Sequence, residues 1–158
     1  MIHVDKKKSI GMELLSIDLG IGTIIDIEQL QAQGDSYFVV DFGSKNSKSY
    51  IPMTVNKKSR FLSNEDEFVK NLKSIKNSGI TKEFQNKTER QKYFSTVLSD
   101  CHLNEIVNRI SEIHSLEKLV PIEKEKLKKL IHVLDLEASA IFKMSTTDSQ
   151  KFVSDFIQ

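Results

Sequence analysis

The stretch from Gly20 to Pro52 reads GIGTIIDIEQLQAQGDSYFVVDFGSKNSKSYIP and has the pattern of a β-sheet. Its apolar runs are short and rich in β-branched and aromatic residues, as strands are, and polar turn residues separate them. Gly20 and Gly22 flank Ile21 at a point where a strand bends or another backbone comes close. The pattern predicts a small, strongly bent antiparallel sheet of successive hairpins that curls into a barrel. One exposed edge of this barrel would be a docking surface for a partner strand.

Helical spacing replaces the strand pattern beyond this sheet. Apolar residues from Phe68 to Ile75 recur at helical intervals, and this helix is expected to close the barrel or to bridge to the next domain. Four further segments with an apolar face predict a compact helical bundle. The sequence therefore indicates an α+β protein with a β domain at residues 1–76, a polar linker at residues 77–86 and an all-helical domain at residues 87–158.

Composition and charge exclude several classes of protein. The chain of 158 residues has a formal net charge of +1, so no global field draws it onto nucleic acid, and any basic surface must be local. The first residues lack the apolar core of a signal peptide, and no run approaches the roughly 20 apolar residues of a membrane span. Cys101 is the single cysteine, which excludes an internal disulfide. We expect a cytoplasmic, monomeric protein that does not bind membranes.

No motif in the sequence supports catalysis or cofactor binding. Gly20-Ile21-Gly22 is like the start of a dinucleotide loop, but the third glycine and the following helix are missing. The four histidines lie at none of the spacings that hold a metal ion. No carboxylate pair and no nucleophile with a neighbouring base stands out. We therefore expect a protein that is not an enzyme and has no catalytic residues, no metal site and no cofactor.

Two kinds of residue are candidates for binding a partner. Tyr50 and Ile51 precede Pro52, which cannot donate to a ladder and so favours an edge strand. These two side chains either contact a partner at that edge or simply pack. Basic residues are densest at positions 124–129, with a smaller group at 87–92. The denser group is either a solvated helix face or a contact for a phosphate backbone.

The order of these segments resembles the CarD/CdnL family of bacterial RNA polymerase-binding transcription regulators. The resemblance rests on GIGTIIDIE at residues 20–28, on YFVVDF at residues 37–42 and on Ile51-Pro52. It continues into the helices, where Glu123-Lys124 resembles the family's Gly-Glu-Lys helix start. The same module occurs in the transcription-repair coupling factor, a helicase much larger than this chain.

The resemblance implies both a fold and a mechanism. The family has a Tudor-like, SH3-like N-terminal barrel that docks on the RNA polymerase β subunit by its strand edge. Its helical C-terminal domain contacts promoter DNA and stabilises the open complex. By resemblance, the polymerase-binding positions in this chain are Tyr50, Ile51, Pro52 and Leu30. The DNA-binding positions are Lys87, Arg90, Lys124 and Lys129.

One departure from the family pattern changes the expected contact with DNA. Family members often carry a Trp at the start of the C-terminal domain that wedges into the minor groove. This sequence has no Trp, and Lys87 stands at that position. A lysine cannot unstack a base step, so we expect weak, electrostatic contact with promoter DNA. The alternative is a protein-interaction adaptor that uses the barrel edge and never touches DNA.

Overall fold

The computed structural model describes residues 8–43, 48–54, 56–77, 82–96 and 100–158. The strands are β1 (Glu13–Ser16), β2 (Gly20–Gln29), β3 (Ser36–Asp41), β4 (Lys48–Pro52) and β5 (Ser59–Phe61). The helices are α1 (Glu65–Asn77), α2 (Lys87–Ser95), α3 (Leu103–His114), α4 (Pro121–Phe142) and α5 (Thr146–Ile157). The α+β class predicted from the sequence is therefore confirmed. Backbone contacts divide the chain into two compact units, Met1–Leu62 and Ser63–Gln158.

The five strands form one antiparallel sheet in the order β4-β3-β2-β1-β5. Side chains alternate between the two faces of each strand, which brings alternate apolar residues together on one face. The buried core on that face consists of Leu14, Ile24, Phe38 and Val40. The half-buried side chains packed around this core are Ile27, Phe42, Ile51, Met53 and Phe61. The first unit thus has a hydrophobic core of its own.

A glycine and a bulge shape the longest strand, β2. A Cβ atom on Gly22 would lie 2.6 Å from Val40 Cγ1 and 2.9 Å from the carbonyl oxygen of Asp41, so a larger residue would displace β3. The register between β2 and β3 also shifts between Ile24 and Asp26, and such bulges bend a strand and increase its twist. The close approach predicted near the glycine pair is confirmed.

Hydrogen bonds do not close this sheet into a barrel. β4 and β5 are the two ends of the strand order, and no ladder joins them within the described residues. Two features oppose closure: β5 has only three residues, and Pro52 of β4 has no N–H to donate. The predicted hairpin sheet with an exposed edge is confirmed, whereas its hydrogen-bonded closure is not observed.

The helix predicted either to close the barrel or to bridge to the next domain belongs to the helical unit. α1 packs against α3 and α5, and α4 packs against the same two helices. Phe68, Leu72 and Ile75 of α1 are buried. Because this apolar face packs on other helices, the division after Leu62 differs from the predicted β domain at residues 1–76. Within the predicted linker between α1 and α2, residues 78–81 lie outside the described part of the chain.

The four helices predicted after this linker are present as α2 to α5. Their fully buried apolar side chains include Phe94, Ile106, Ile110, Ile113, Leu130, Leu134 and Val153. Among the helices that the structure describes, none combines the length and the apolar composition needed to cross a membrane.

Candidate functional site

The edge strand β4 presents backbone groups that no neighbouring strand in the described part of the chain uses. The N–H of Met53 donates to the carbonyl oxygen of Ser36 at 3.0 Å, and these two residues continue the β3–β4 register. Opposite residues in an antiparallel pair alternate between bonded and non-bonded pairs. The N–H and C=O groups of Lys48 and Tyr50 therefore point away from β3, towards the open edge. Pro52 faces the same way, and there its missing N–H costs no ladder bond.

Tyr50 is the exposed aromatic residue of this edge. Its side chain is 44% exposed, and its hydroxyl donates to Glu28 Oε2 at 3.3 Å. The negative charge of Glu28 raises the pKa of Tyr50, so the phenol stays protonated at neutral pH. The contact is long and lies on the surface, so it orients the ring without covering it.

The structure divides the four predicted polymerase-binding residues between two environments. Ile51 is half-buried and packs against the core on the face opposite Tyr50, so its main role is structural. Leu30 is 55% exposed in the turn that follows β2. That turn lies at the same end of the sheet as Pro52, because Pro52 pairs with Tyr37 and Tyr37 pairs with Glu28. Exposed Leu30 and Tyr50 are therefore the side chains available to a partner.

In the helical unit, Arg90 is held by a buried carboxylate. Its Nε donates to Glu123 Oε1 at 2.5 Å, and its Nη2 donates to Glu123 Oε2 and to the carbonyl oxygen of Lys118, both at 2.6 Å. The side chain of Glu123 is fully buried and also accepts the N–H of Val120 at 2.9 Å. This side-on, bidentate geometry is the strongest form of such a pair.

The same contacts set the protonation of both groups. Burial alone would raise the pKa of Glu123, but the bonds from Arg90 and from the N–H of Val120 outweigh it and lower that pKa. The hydrogen bond to Glu123 likewise raises the pKa of Arg90. Both side chains are therefore charged at neutral pH, and Arg90 fastens α2 to the start of α4. Pro121 followed by Glu123 is a helix-start signal in the sequence, but it does not predict this structural role of Arg90.

The other three predicted DNA-binding residues lie on the surface. Lys87 is the first residue of α2, Lys124 lies in the first turn of α4, and both are exposed. Lys129 Nζ lies 2.8 Å from Glu125 Oε1, one turn away on α4, and both side chains are more than half exposed. Lys129 lowers the pKa of Glu125 through this pair. An exposed pair of this kind stabilises little, so Lys129 can exchange its partner for another anion.

An aromatic cluster also supports α2. The rings of Phe84, Tyr93 and Phe94 lie 5.1 to 5.6 Å apart. The hydroxyl of Tyr93 donates to Glu112 Oε2 at 2.7 Å, which ties α2 to α3. Arg109 donates to the same carboxylate oxygen at 2.8 Å and lies over the Tyr93 ring, 4.7 Å from its centre. α2 is therefore fixed by polar and aromatic contacts, and Phe94 is its one buried residue.

Two adjoining cavities form a groove along α2. One has a volume of about 770 Å³ and the other about 680 Å³, and Lys87, Gln91 and Val120 line both. The wall facing α2 comes from the segment between α3 and α4 and from the first residues of α4. We call this feature the α2 groove. No pattern in the sequence predicts it, because it depends on how α2 is fastened to residues about thirty positions later in the chain.

Neither comparison with known proteins gives a match: no family model fits this chain, and no curated protein is significantly similar to it. The resemblance to the CarD/CdnL family therefore rests on the residues of the chain itself.

Proposed function

We propose that this chain is a bacterial regulator of transcription initiation that docks on the RNA polymerase β subunit through the edge strand β4. One observation carries the proposal: an exposed tyrosine stands on an end strand whose outward N–H and C=O groups have no partner strand among the residues that the structure describes. The strand order, with β5 beside β1, is in keeping with a Tudor-like, SH3-like module whose closure is incomplete. In this proposal the protein acts in the cytoplasm, where polymerase is found.

The docking would occur by strand addition. An incoming strand pairs with the outward groups of Lys48 and Tyr50, and Pro52 ends the ladder because it has no N–H. The Tyr50 ring supplies apolar contact beside the new ladder, and Leu30 extends that contact at the same end of the sheet. Main-chain bonds supply affinity in such complexes, and side chains supply specificity.

The helical unit would contact promoter DNA through Lys87, Lys124 and Lys129. Each is an exposed cation on a rigid helix, which suits contact with phosphates. Arg90 serves this surface by holding α2 in place, since Glu123 already occupies two of its nitrogens. The contact is electrostatic and weak alone, and it becomes effective when the β4 edge tethers the protein to polymerase.

The test is the affinity of Tyr50→Ala for purified RNA polymerase β subunit, measured by biolayer interferometry. We expect a loss of about thirtyfold, because an aromatic anchor of this kind contributes about 2 kcal/mol. Ile25→Ala is the matched control: Ile25 is an exposed apolar residue of the inner strand β2, and its loss should leave the affinity unchanged. Equal affinities of Tyr50→Ala and wild type, with the fold intact, would remove β4 from the interface.

A second candidate is a protein-interaction adaptor that uses the same edge and does not touch DNA. The ion pairs of Arg90 with Glu123 and of Lys129 with Glu125 favour it, because they neutralise two of the four cations assigned to DNA. The net charge of +1 favours it as well. Polymerase binding without any effect on the lifetime of open complexes would select this candidate.

A further inference from the structure

The α2 groove has an apolar wall that contact with phosphates does not require. Leu116, Val120, Pro121 and Ile122 line it on the side opposite α2. Ile122 is 39% exposed, and within the described part of the helical unit it is the one large apolar side chain left exposed. Exposed apolar residues inside a concave surface mark a binding site more often than those scattered singly.

The rim of the same groove is basic. Of its described residues, four are lysines, namely Lys82, Lys87, Lys92 and Lys118, and two besides Glu123 carry carboxylates, Glu83 and Glu117. The remaining charges, Arg90 and Glu123, offset one another in their ion pair. The groove therefore has a surplus of positive charge, although the chain as a whole is almost neutral.

Arg90 places a fixed hydrogen-bond donor within this groove. Glu123 and the carbonyl of Lys118 occupy its Nε and Nη2, whereas its Nη1 bonds to no residue that the structure describes. The guanidinium cannot rotate without breaking the bidentate pair, so Nη1 is held in one position. A preorganised guanidinium donor of this kind suits an anionic oxygen, such as that of a carboxylate, as its next partner.

We propose that the α2 groove binds an extended acidic peptide from a partner protein. The lysines and Arg90 Nη1 donate hydrogen bonds to the carboxylates of the peptide, and one apolar side chain of the peptide contacts Ile122. α2 rises about 12 Å between Lys87 and Ser95, which is about four residues of extended chain. The proposal is independent of the polymerase contact, because β4 belongs to the first unit.

The contacts of the groove favour a peptide over nucleic acid. Bases of a single strand bind by stacking on free aromatic rings. Among the described residues, Phe84 is the one aromatic residue that lines the groove, and it is already packed against Tyr93 and Phe94. A duplex offers phosphates but no apolar side chain for Ile122. A peptide that alternates carboxylates with an apolar residue satisfies both parts of the groove.

The experiment is selection from a random peptide display library against the full chain, followed by fluorescence anisotropy with labelled copies of the enriched peptides. We expect enriched sequences that place Asp or Glu on both sides of an apolar residue. Lys118→Glu and Ile122→Ser should each weaken binding of these peptides about tenfold. Both side chains are on the surface, and neither is assigned to DNA contact.

Lys151→Glu is the charge-matched control, because Lys151 is an exposed lysine of α5 that does not line the groove. It should bind the peptides as wild type does. The proposal is overturned if no acidic sequence is enriched. It is overturned as well if Lys118→Glu and Lys151→Glu lose equal affinity for the peptides, because the peptides would then respond to the net charge of the protein and not to the groove. A third contradicting outcome is that a single-stranded oligonucleotide displaces the peptide and binds the Ile122→Ser variant more weakly than wild type. The occupant of the groove would then be nucleic acid.

Discussion

Glu123 shows how a single buried carboxylate can position a helix. α2 buries only Phe94, so its attachment depends on polar contacts as well as on the aromatic cluster around that ring. Arg90 supplies a bidentate pair to Glu123, and Glu123 also accepts the N–H at the start of α4. Removing one partner of such a pair leaves the other charge without compensation, which costs more than the pair itself contributes.

Glu123→Gln should therefore lower the free energy of unfolding by about 2 kcal/mol at pH 7, below the range for a fully buried pair because Arg90 is partly exposed. The folded-state pKa of Glu123 is lowered, so its contribution is complete above the unfolded pKa of about 4.3 and is lost as the pH falls. Urea denaturation at several pH values measures this difference. Glu125→Gln, in the exposed pair with Lys129, is the control and should cost less than about 1 kcal/mol. Equal losses would show that Glu123 does not fasten α2.

Asp135 gives the stability of the protein the opposite dependence on pH. Its side chain is buried on α4, and its Oδ1 has no hydrogen-bond partner among the described residues. Burial raises the pKa of Asp135, although the charge of His132 opposes this. Stability linked to Asp135 is thus greatest below its unfolded pKa and is lost as the pH rises through the folded pKa.

Asp135→Asn should stabilise the protein by about 1 kcal/mol at neutral pH, because it removes a poorly compensated buried charge. Thermal unfolding at pH 7 and near pH 4 tests this, and the gain should shrink at the lower value. A variant less stable than wild type at pH 7 would show that the carboxylate has a favourable partner.

Among the helices and strands, local sequence patterns predict the secondary structure of each segment better than they predict which segments pack together. Alternation and turns predicted the strands of the sheet, and Pro52 indicated the edge strand. The apolar period of α1 indicated a helix but not which surface covers it, because period alone does not identify a partner. The bond between Arg90 and Glu123 joins positions far apart in the sequence, so no local pattern indicated it.

The packing of α1 leads to a prediction about fragments. Residues 63–158 should fold as an independent helical unit with a cooperative thermal transition, because α1 packs on α3 and α5 within it. A fragment that begins at residue 79 should lose this transition, since it lacks the buried residues Phe68 and Leu72. Circular dichroism during heating compares the two. Equal cooperativity in both fragments would show that α1 is dispensable to the helical core.

For the molecule as a whole, a net charge of +1 limits the affinity of the protein for DNA. The free protein should bind DNA weakly, with a logarithmic salt slope of about −0.9 for each phosphate neutralised. Lys124→Glu combined with Lys129→Glu should abolish the effect on open-complex lifetime and leave polymerase binding unchanged. Lys151→Glu is the control for a charge change elsewhere on the helical unit. Unaltered lifetimes at low salt in the double variant would favour the adaptor.

In the proposed function, β4 receives a strand of the RNA polymerase β subunit. The most direct measurement is amide hydrogen exchange of the full chain, alone and in complex with the β subunit. The N–H of Tyr50 points to the open edge, so it should exchange fast in the free protein and slowly in the complex, together with that of Lys48. The amides of β5, at the other end of the sheet, should not change. Unchanged exchange at Lys48 and Tyr50 in a saturated complex would contradict strand addition at β4.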